Sequence, residues 1–172
     1  FLSNYFRGIY DNAMSKLPNL TTGITINRVE IWVTNKTGTT SNTRNIVAFT
    51  DLGENTKVSN KMWNTTGQPV PCNAANTEYS TMVNNYSDAR NIDQTNTVLD
   101  GISGFSGGND YEKLESARLL TSSEYTVNTS LGYVSLKSSL QTDQVLAIAY
   151  EYTYGGATYQ VGEFASDNTD TE

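Results

Sequence analysis

The stretch 145-VLAIAYEYTYGGATYQVGEF-164 decides the fold class. Leu146, Ile148, Tyr150, Tyr152 and Tyr154 fall on one face of an extended strand, and Val145, Ala147, Ala149, Glu151 and Thr153 on the other. Gly155-Gly156 provides two residues able to take positive φ, as a two-residue primed turn requires. The segment therefore reads as an antiparallel β-hairpin, apolar and tyrosine-rich on one side, small or polar on the other.

Outward from this hairpin, other runs have strand character. Residues 24-ITINRVEIWVTN-35 are rich in Ile, Val and Trp. Strict alternation puts Val29, Ile31 and Val33 on one face and Ile24, Ile26 and Trp32 on the other. A polar turn, 36–43, leads to 44-RNIVAFTDL-52, and strand, loop, strand suggests a hairpin between the two. Tyr125-Thr126-Val127 and 131-LGYVSLKSSL-140 look like strands. Residues 111–120 are ambiguous: Asn109 and Glu112 resemble a capping box, but the extended form is preferred. Helices are expected at 3–17, capped by Ser3 or Asn4 and ended before Pro18, and as short pieces near 75–86 and 91–99. The middle, 53–110, is rich in Asn, Thr, Gly and Pro and reads as a helix and loop insertion between two sheet-forming parts, 24–52 and 111–164. The expected class is α+β, dominated by antiparallel β-sheet, sandwich-like, with a few short helices. Its expected core is Val29, Ile31, Val33, Ile46, Ala48, Leu131, Val134, Leu136, Leu146, Ile148 and Tyr150, with Trp32 packed in the sheet.

Composition narrows the function. The 172 residues are 37% hydrophobic, enough to bury a core. A net charge of −7, with no Lys/Arg cluster, disfavours binding to phosphate backbones. No run of 18 apolar residues marks a membrane helix. Residues 145–154 alone match a barrel-spanning strand, but nothing else repeats the pattern. The chain starts at Phe1 without a signal peptide and reads as a single soluble fragment, 1–172, of a larger protein.

Catalytic chemistry has little to work with. Histidine is absent, which removes most acid–base, triad and zinc schemes. The one cysteine, Cys72, allows no intrachain disulfide and has no histidine to activate it. The Gly-rich run 101–108 lacks the Gly-Lys-Ser/Thr ending of a phosphate loop. Asp110, Glu112 and Glu115, and Asp167, Asp170 and Glu172, lack the alternating spacing and central glycine of a calcium loop. Glycosylation-type triplets begin at Asn19, Asn35, Asn64, Asn85 and Asn128, as chance allows in an Asn- and Thr-rich chain. No catalytic, cofactor-binding or metal-ligating residue is assigned, no cofactor is expected, and the chain is not expected to be an enzyme.

Five blocks carry a resemblance: 27-NRVEIWVTNKTG-38, 44-RNIVAFTDLGE-54, 110-DYEKLESARLLTSSEYTVN-128, 131-LGYVSLKSSLQTDQVLAIAYEYTYGG-156 and 159-YQVGEF-164. In this order they resemble the SprA/Sov family of very large cell-surface proteins of the Bacteroidetes. The resemblance covers roughly 24–164, interrupted by the middle. It implies the giant outer-membrane β-barrel of type IX secretion, which moves folded cargo to the surface and is tied to gliding motility in some relatives. This chain would be a non-catalytic structural or interaction domain of that barrel, capping, bracing or docking at the pore. Its partners would be other parts of the barrel, other secretion-system proteins or cargo. The cell-surface side is preferred over the periplasmic one. The alternative is a cell-surface carbohydrate-binding or adhesin module, which needs an exposed aromatic platform such as Trp63 with Tyr79 or Tyr86.

Overall fold

The computed structural model describes residues 1–167. In chain order its elements are α1 (Asn4–Met14), β1 (Ile24–Val33), β2 (Thr43–Phe49), α2 (Glu78–Asn85), a 3-10 turn (Ser87–Arg90), α3 (Thr95–Leu99), β3 (Tyr111–Leu119), β4 (Tyr125–Asn128), β5 (Tyr133–Leu136), β6 (Leu146–Tyr154) and β7 (Ala157–Val161). Five strands form an antiparallel sheet in the order β2-β3-β1-β6-β7, and β4 and β5 form a two-stranded one. The class is thus the α+β, antiparallel-sheet fold that the sequence implies.

The opening hairpin is β6–β7. Tyr154 pairs with Ala157 across Gly155 and Gly156, whose φ values are 58° and 82°. Both glycines meet open space, so backbone freedom alone selects them.

Two expectations are corrected. Strict alternation placed Ile24 and Ile26 with Trp32. In the structure Ile26 pairs with Tyr152 while Arg28 pairs with Glu151, leaving Asn27 as an extra residue in β1. This bulge switches the parity of the strand. Ile24, Ile26, Val29, Ile31 and Val33 therefore all share the face of Tyr154, Tyr152, Tyr150, Ile148 and Leu146. The Asn27 amide donates to Thr153 Oγ1 at 2.9 Å, which secures the bulge.

Nor do β1 and β2 form a hairpin. β3 lies between them and runs antiparallel to both. β1 meets β3 only at Trp32↔Leu119 and Val33↔Arg118, while β2 pairs with β3 along its length. The connector 34–42 is held instead by a bond within itself and one to the end of β3. The Asn35 amide donates to the Thr39 carbonyl at 2.7 Å, and the Asn42 carbonyl accepts the Leu119 N–H at 3.0 Å.

The tyrosine face is the main core. α1 lies on it because Phe6, Ile9 and Ala13 share one helix face, with Phe6 at 0% exposure. Phe6 meets Tyr150 and Tyr152 edge-to-face, at centroid distances of 5.8 and 5.2 Å. Ser3 occupies the N-cap position but makes no side-chain cap bond, and the Asn4 N–H is taken by Glu54 Oε1 at 3.2 Å. β4–β5 covers the other end of this face, packing Tyr125, Val134 and Leu136 against Ile31, Val33 and Leu120, a sandwich-like contact. The strand expected at 131–140 shortens to Tyr133–Leu136, because Leu131 and Gly132 close the turn. The Asn128 carboxamide oxygen accepts the Ser130 and Leu131 N–H groups there. Of the expected core, Ile31, Val33, Leu131 and Tyr150 are fully buried and the rest half-buried.

The insertion builds its own cluster around Trp63, Leu99, Phe105 and Tyr111, with Phe105 stacked on Tyr111 at 5.5 Å. Several bonds tie the insertion to the sheet: the buried Tyr152 hydroxyl donates to the Pro71 carbonyl at 2.6 Å, the Asn73 N–H donates to the Gln160 carbonyl at 2.8 Å, and the Tyr111 hydroxyl donates to Asp100 at 2.8 Å. Tyr152→Phe leaves the Pro71 carbonyl without its partner, and is expected to destabilise the protein by about 1–2 kcal/mol. Urea unfolding checks this; an unchanged midpoint would mean that the bond adds nothing over solvation of the separate groups.

Candidate functional site

The face of the sheet opposite the tyrosines is only partly covered. Its small residues Ala147 and Ala149 sit beside Trp32, and the shortness of their side chains leaves room above them. β2 adds Ile46 and Ala48. α2 and the 3-10 turn form the facing wall with Tyr79, Met82 and Arg90. The space between is a cleft of about 330 Å³.

The segment after β7 forms the rim of this cleft and is tied down at three points. The Arg90 guanidinium donates to both oxygens of Glu163, at 2.8 and 2.6 Å, and the Tyr79 hydroxyl donates to Glu163 Oε1 at 2.9 Å. Burial first, and then the Glu163 carboxylate, raise the Tyr79 hydroxyl above the usual tyrosine range. The Ala165 N–H donates to Glu30, whose carboxylate also accepts the Trp32 indole N–H at 2.8 Å. The Arg44 guanidinium donates to the Ala165 carbonyl at 2.7 Å. Finally Arg28 makes a two-pronged pair with Asp167, at 3.0 and 3.1 Å, and lies 3.8 Å over the Phe164 ring. That pairing raises the Arg28 guanidinium and lowers the Asp167 carboxyl. Chemically this is an apolar floor within a rim of charges engaged with one another. It suits the reception of apolar side chains or a backbone segment.

The residues singled out in the sequence lie elsewhere. Cys72 is buried and donates its N–H to the Gly53 carbonyl. The Gly-rich run 101–108 wraps the buried Phe105, and the Gly104 carbonyl accepts the Asn60 amide at 2.8 Å. Asp110 accepts from Asn60 and from the Ser106 N–H, and Glu115 pairs with Lys113 at 2.7 Å. Among the described residues no group of three or more Asp, Glu or Cys side chains converges on a metal position. Asp170 and Glu172 lie outside the described residues. Asn35 and Asn128 spend their side chains on local turns, while Asn19, Asn64 and Asn85 are exposed.

Trp63 is 6% exposed and packs edge-on against Phe105, Tyr79 is engaged with Glu163, and Tyr86 is half-buried. They do not form the open aromatic platform that a carbohydrate module needs. Trp32 packs in the sheet at 7% exposure, as expected.

Sequence reading missed the Tyr79–Glu163–Arg90 clasp, whose members are 73 and 84 residues apart. It also missed Glu78, which looks like an ordinary acid at a helix start and is fully buried. No family model and no curated protein matches the chain.

Proposed function

We propose that this chain is a non-catalytic structural and interaction domain of a giant outer-membrane translocation barrel of the SprA/Sov kind, capping, bracing or docking at the pore from the cell-surface side. The observation that carries the reading is where the resembling blocks fall. Residues 27–38, 44–54, 110–128, 131–156 and 159–164 hold all or most of every strand, and the gap between the second and third is the helical insertion. The resemblance thus follows the sheet frame and skips the part least needed to form it. The closely packed tyrosine face supports a bracing role, because such a face resists deformation. The cleft beside Trp32, walled by α2, is the surface offered to a neighbouring part of the barrel, another secretion component or cargo.

The test replaces residues 24–164 in the full-length parent by a short flexible linker and follows secreted cargo together with outer-membrane levels of the parent. Normal parent levels with secretion lost or leaking are the expected result. Normal levels with secretion intact would refute a working role in translocation and favour a surface adhesin.

A further inference from the structure

Behind α2 lies a polar hub that ties the insertion together. Both Asp51 oxygens accept backbone N–H groups, from Ser59 at 2.8 Å and Asn60 at 2.7 Å. The Asn60 amide bridges the Gly104 carbonyl and Asp110. The Asn76 amide bridges the carbonyls of Asp51 and Glu54, and its oxygen accepts the Glu78 N–H. Segments 51–60, 76–78 and 104–110 therefore converge here. Into this hub the first residue of α2 brings a further carboxyl, Glu78, at 0% exposure, and neither of its oxygens has a hydrogen-bond partner. The neighbouring segment 64–66 pairs with 75–77, and the buried Trp63 indole N–H next to it also has no acceptor.

We propose that Glu78 is a proton-controlled latch: while its carboxyl carries a proton α2 stays docked as the wall of the cleft, and loss of the proton releases α2 and opens that wall.

An ionised carboxylate in this position would be a buried charge without a donor, which is costly. The charges acting on it are those of Asp51, from the loop after β2, and Asp110, at the start of β3, and both oppose ionisation. Glu54, at the edge of the same hub, is raised as well, by burial chiefly and then by Asp51, against the Asn4 N–H bond and Lys57, which lower it. Only the N-terminal field of α2 favours the anion, and the Glu78 N–H is already given to Asn76. Burial chiefly, and then the two aspartates, push the Glu78 carboxyl up to about 8. The folded value lies above the ordinary 4.5, so the docked state binds more protons than the open one between these pH values. Docking is complete at low pH and is lost as pH rises towards 8, by about tenfold per pH unit in the opening equilibrium. α2 carries Tyr79 and Met82 into the cleft wall, so its release also breaks the clasp on Glu163.

The experiment is amide hydrogen exchange of α2 in the full chain between pH 5 and 8, corrected for the intrinsic pH dependence of exchange. Wild type is expected to show opening that rises on the order of several hundredfold over this range. In Glu78→Gln the rise should collapse to a few-fold, while Glu54→Gln should retain most of it. A flat wild-type profile, or the same slope in Glu78→Gln, overturns the latch. Should Glu78→Gln not fold, carbon NMR titration of the wild-type Glu78 carboxyl decides: a midpoint near 8 supports the proposal and one near 4.5 refutes it.

Discussion

Phe6→Ala is expected to destabilise the protein by about 3–5 kcal/mol, as large aromatic-to-alanine changes in packed cores do. The ring is at 0% exposure and lies edge-on to Tyr150 and Tyr152. The cost depends on whether the surroundings collapse into the void, and here they are held. Tyr152 is anchored through its hydroxyl to Pro71, Tyr150 is fixed by pairing to Val29 and Val161, and the 128–133 turn presents backbone to the ring. Phe6 is the one large side chain of α1 that is fully buried, with Tyr5 and Ile9 partly buried beside it, so the ring carries most of the docking. At about 2–4 °C per kcal/mol for a chain of this size, Tm should fall by about 10 °C. Phe6→Leu, which keeps most of the volume, should cost under about 1.5 kcal/mol. Thermal and urea unfolding followed by circular dichroism measure both. A loss below about 1 kcal/mol for Phe6→Ala would mean that α1 is not integral to the core.

How far the sequence could be read depended on how local the cause was. The β6–β7 hairpin was legible because alternation and Gly155-Gly156 sit within one short stretch, whereas 111–120, which alternates poorly in either register, reads only as ambiguous with a preference for the extended form that β3 takes. The faces of β1 were misread because one inserted residue, Asn27, reverses a period of two, and the asparagine reads as an ordinary polar strand position. The partner of β2 was misread because β3 arrives from 62 residues further along than the end of β2, and sequence proximity favours the nearer strand. The helix at 4–14 was foreseen but its role was not. Phe6 becomes the centre of the core only when the tyrosine face it covers is assembled.

The candidate site was less legible than the fold, for the same reason. The clasp joins Tyr79, Arg90 and Glu163, three residues with nothing in their own neighbourhoods to mark them. Glu78 carries the opposite signal from its true environment. An acid in the first turn of a helix normally faces water and complements the helix field. Here the turn that includes Asn76 points it inward, within the field of Asp51 and Asp110, a placement fixed by side-chain to backbone bonds that no periodicity encodes. The charged pair at Arg28 and Asp167 is likewise set by the return of the chain after β7.

Gly132→Ala should be nearly as damaging as loss of the ring it faces. Gly132 has φ +65°, a conformation that costs an L side chain roughly 1–2 kcal/mol. A methyl group there would also stand 2.5 Å from Phe6 Cγ and 2.8 Å from Cε1, inside contact distance of a ring that cannot move aside. Overlap of this kind adds about 1–3 kcal/mol, for a total of about 2–5 kcal/mol. Gly156→Ala separates the two parts, because that glycine has φ +82° and meets nothing within 4 Å, so only the backbone cost of about 1–2 kcal/mol should appear. The sharper comparison is Gly132→Ala made in the Phe6→Ala background. With the ring gone the methyl enters the space it leaves, so its added cost should fall to the backbone part alone, an interaction of at least about 1 kcal/mol between the two sites. Equal costs in both backgrounds would show that the Phe6 ring is not what excludes a side chain at 132, and the close seat of α1 on the β4–β5 turn would have to be explained by the Leu2 N–H bond to the Gly132 carbonyl instead.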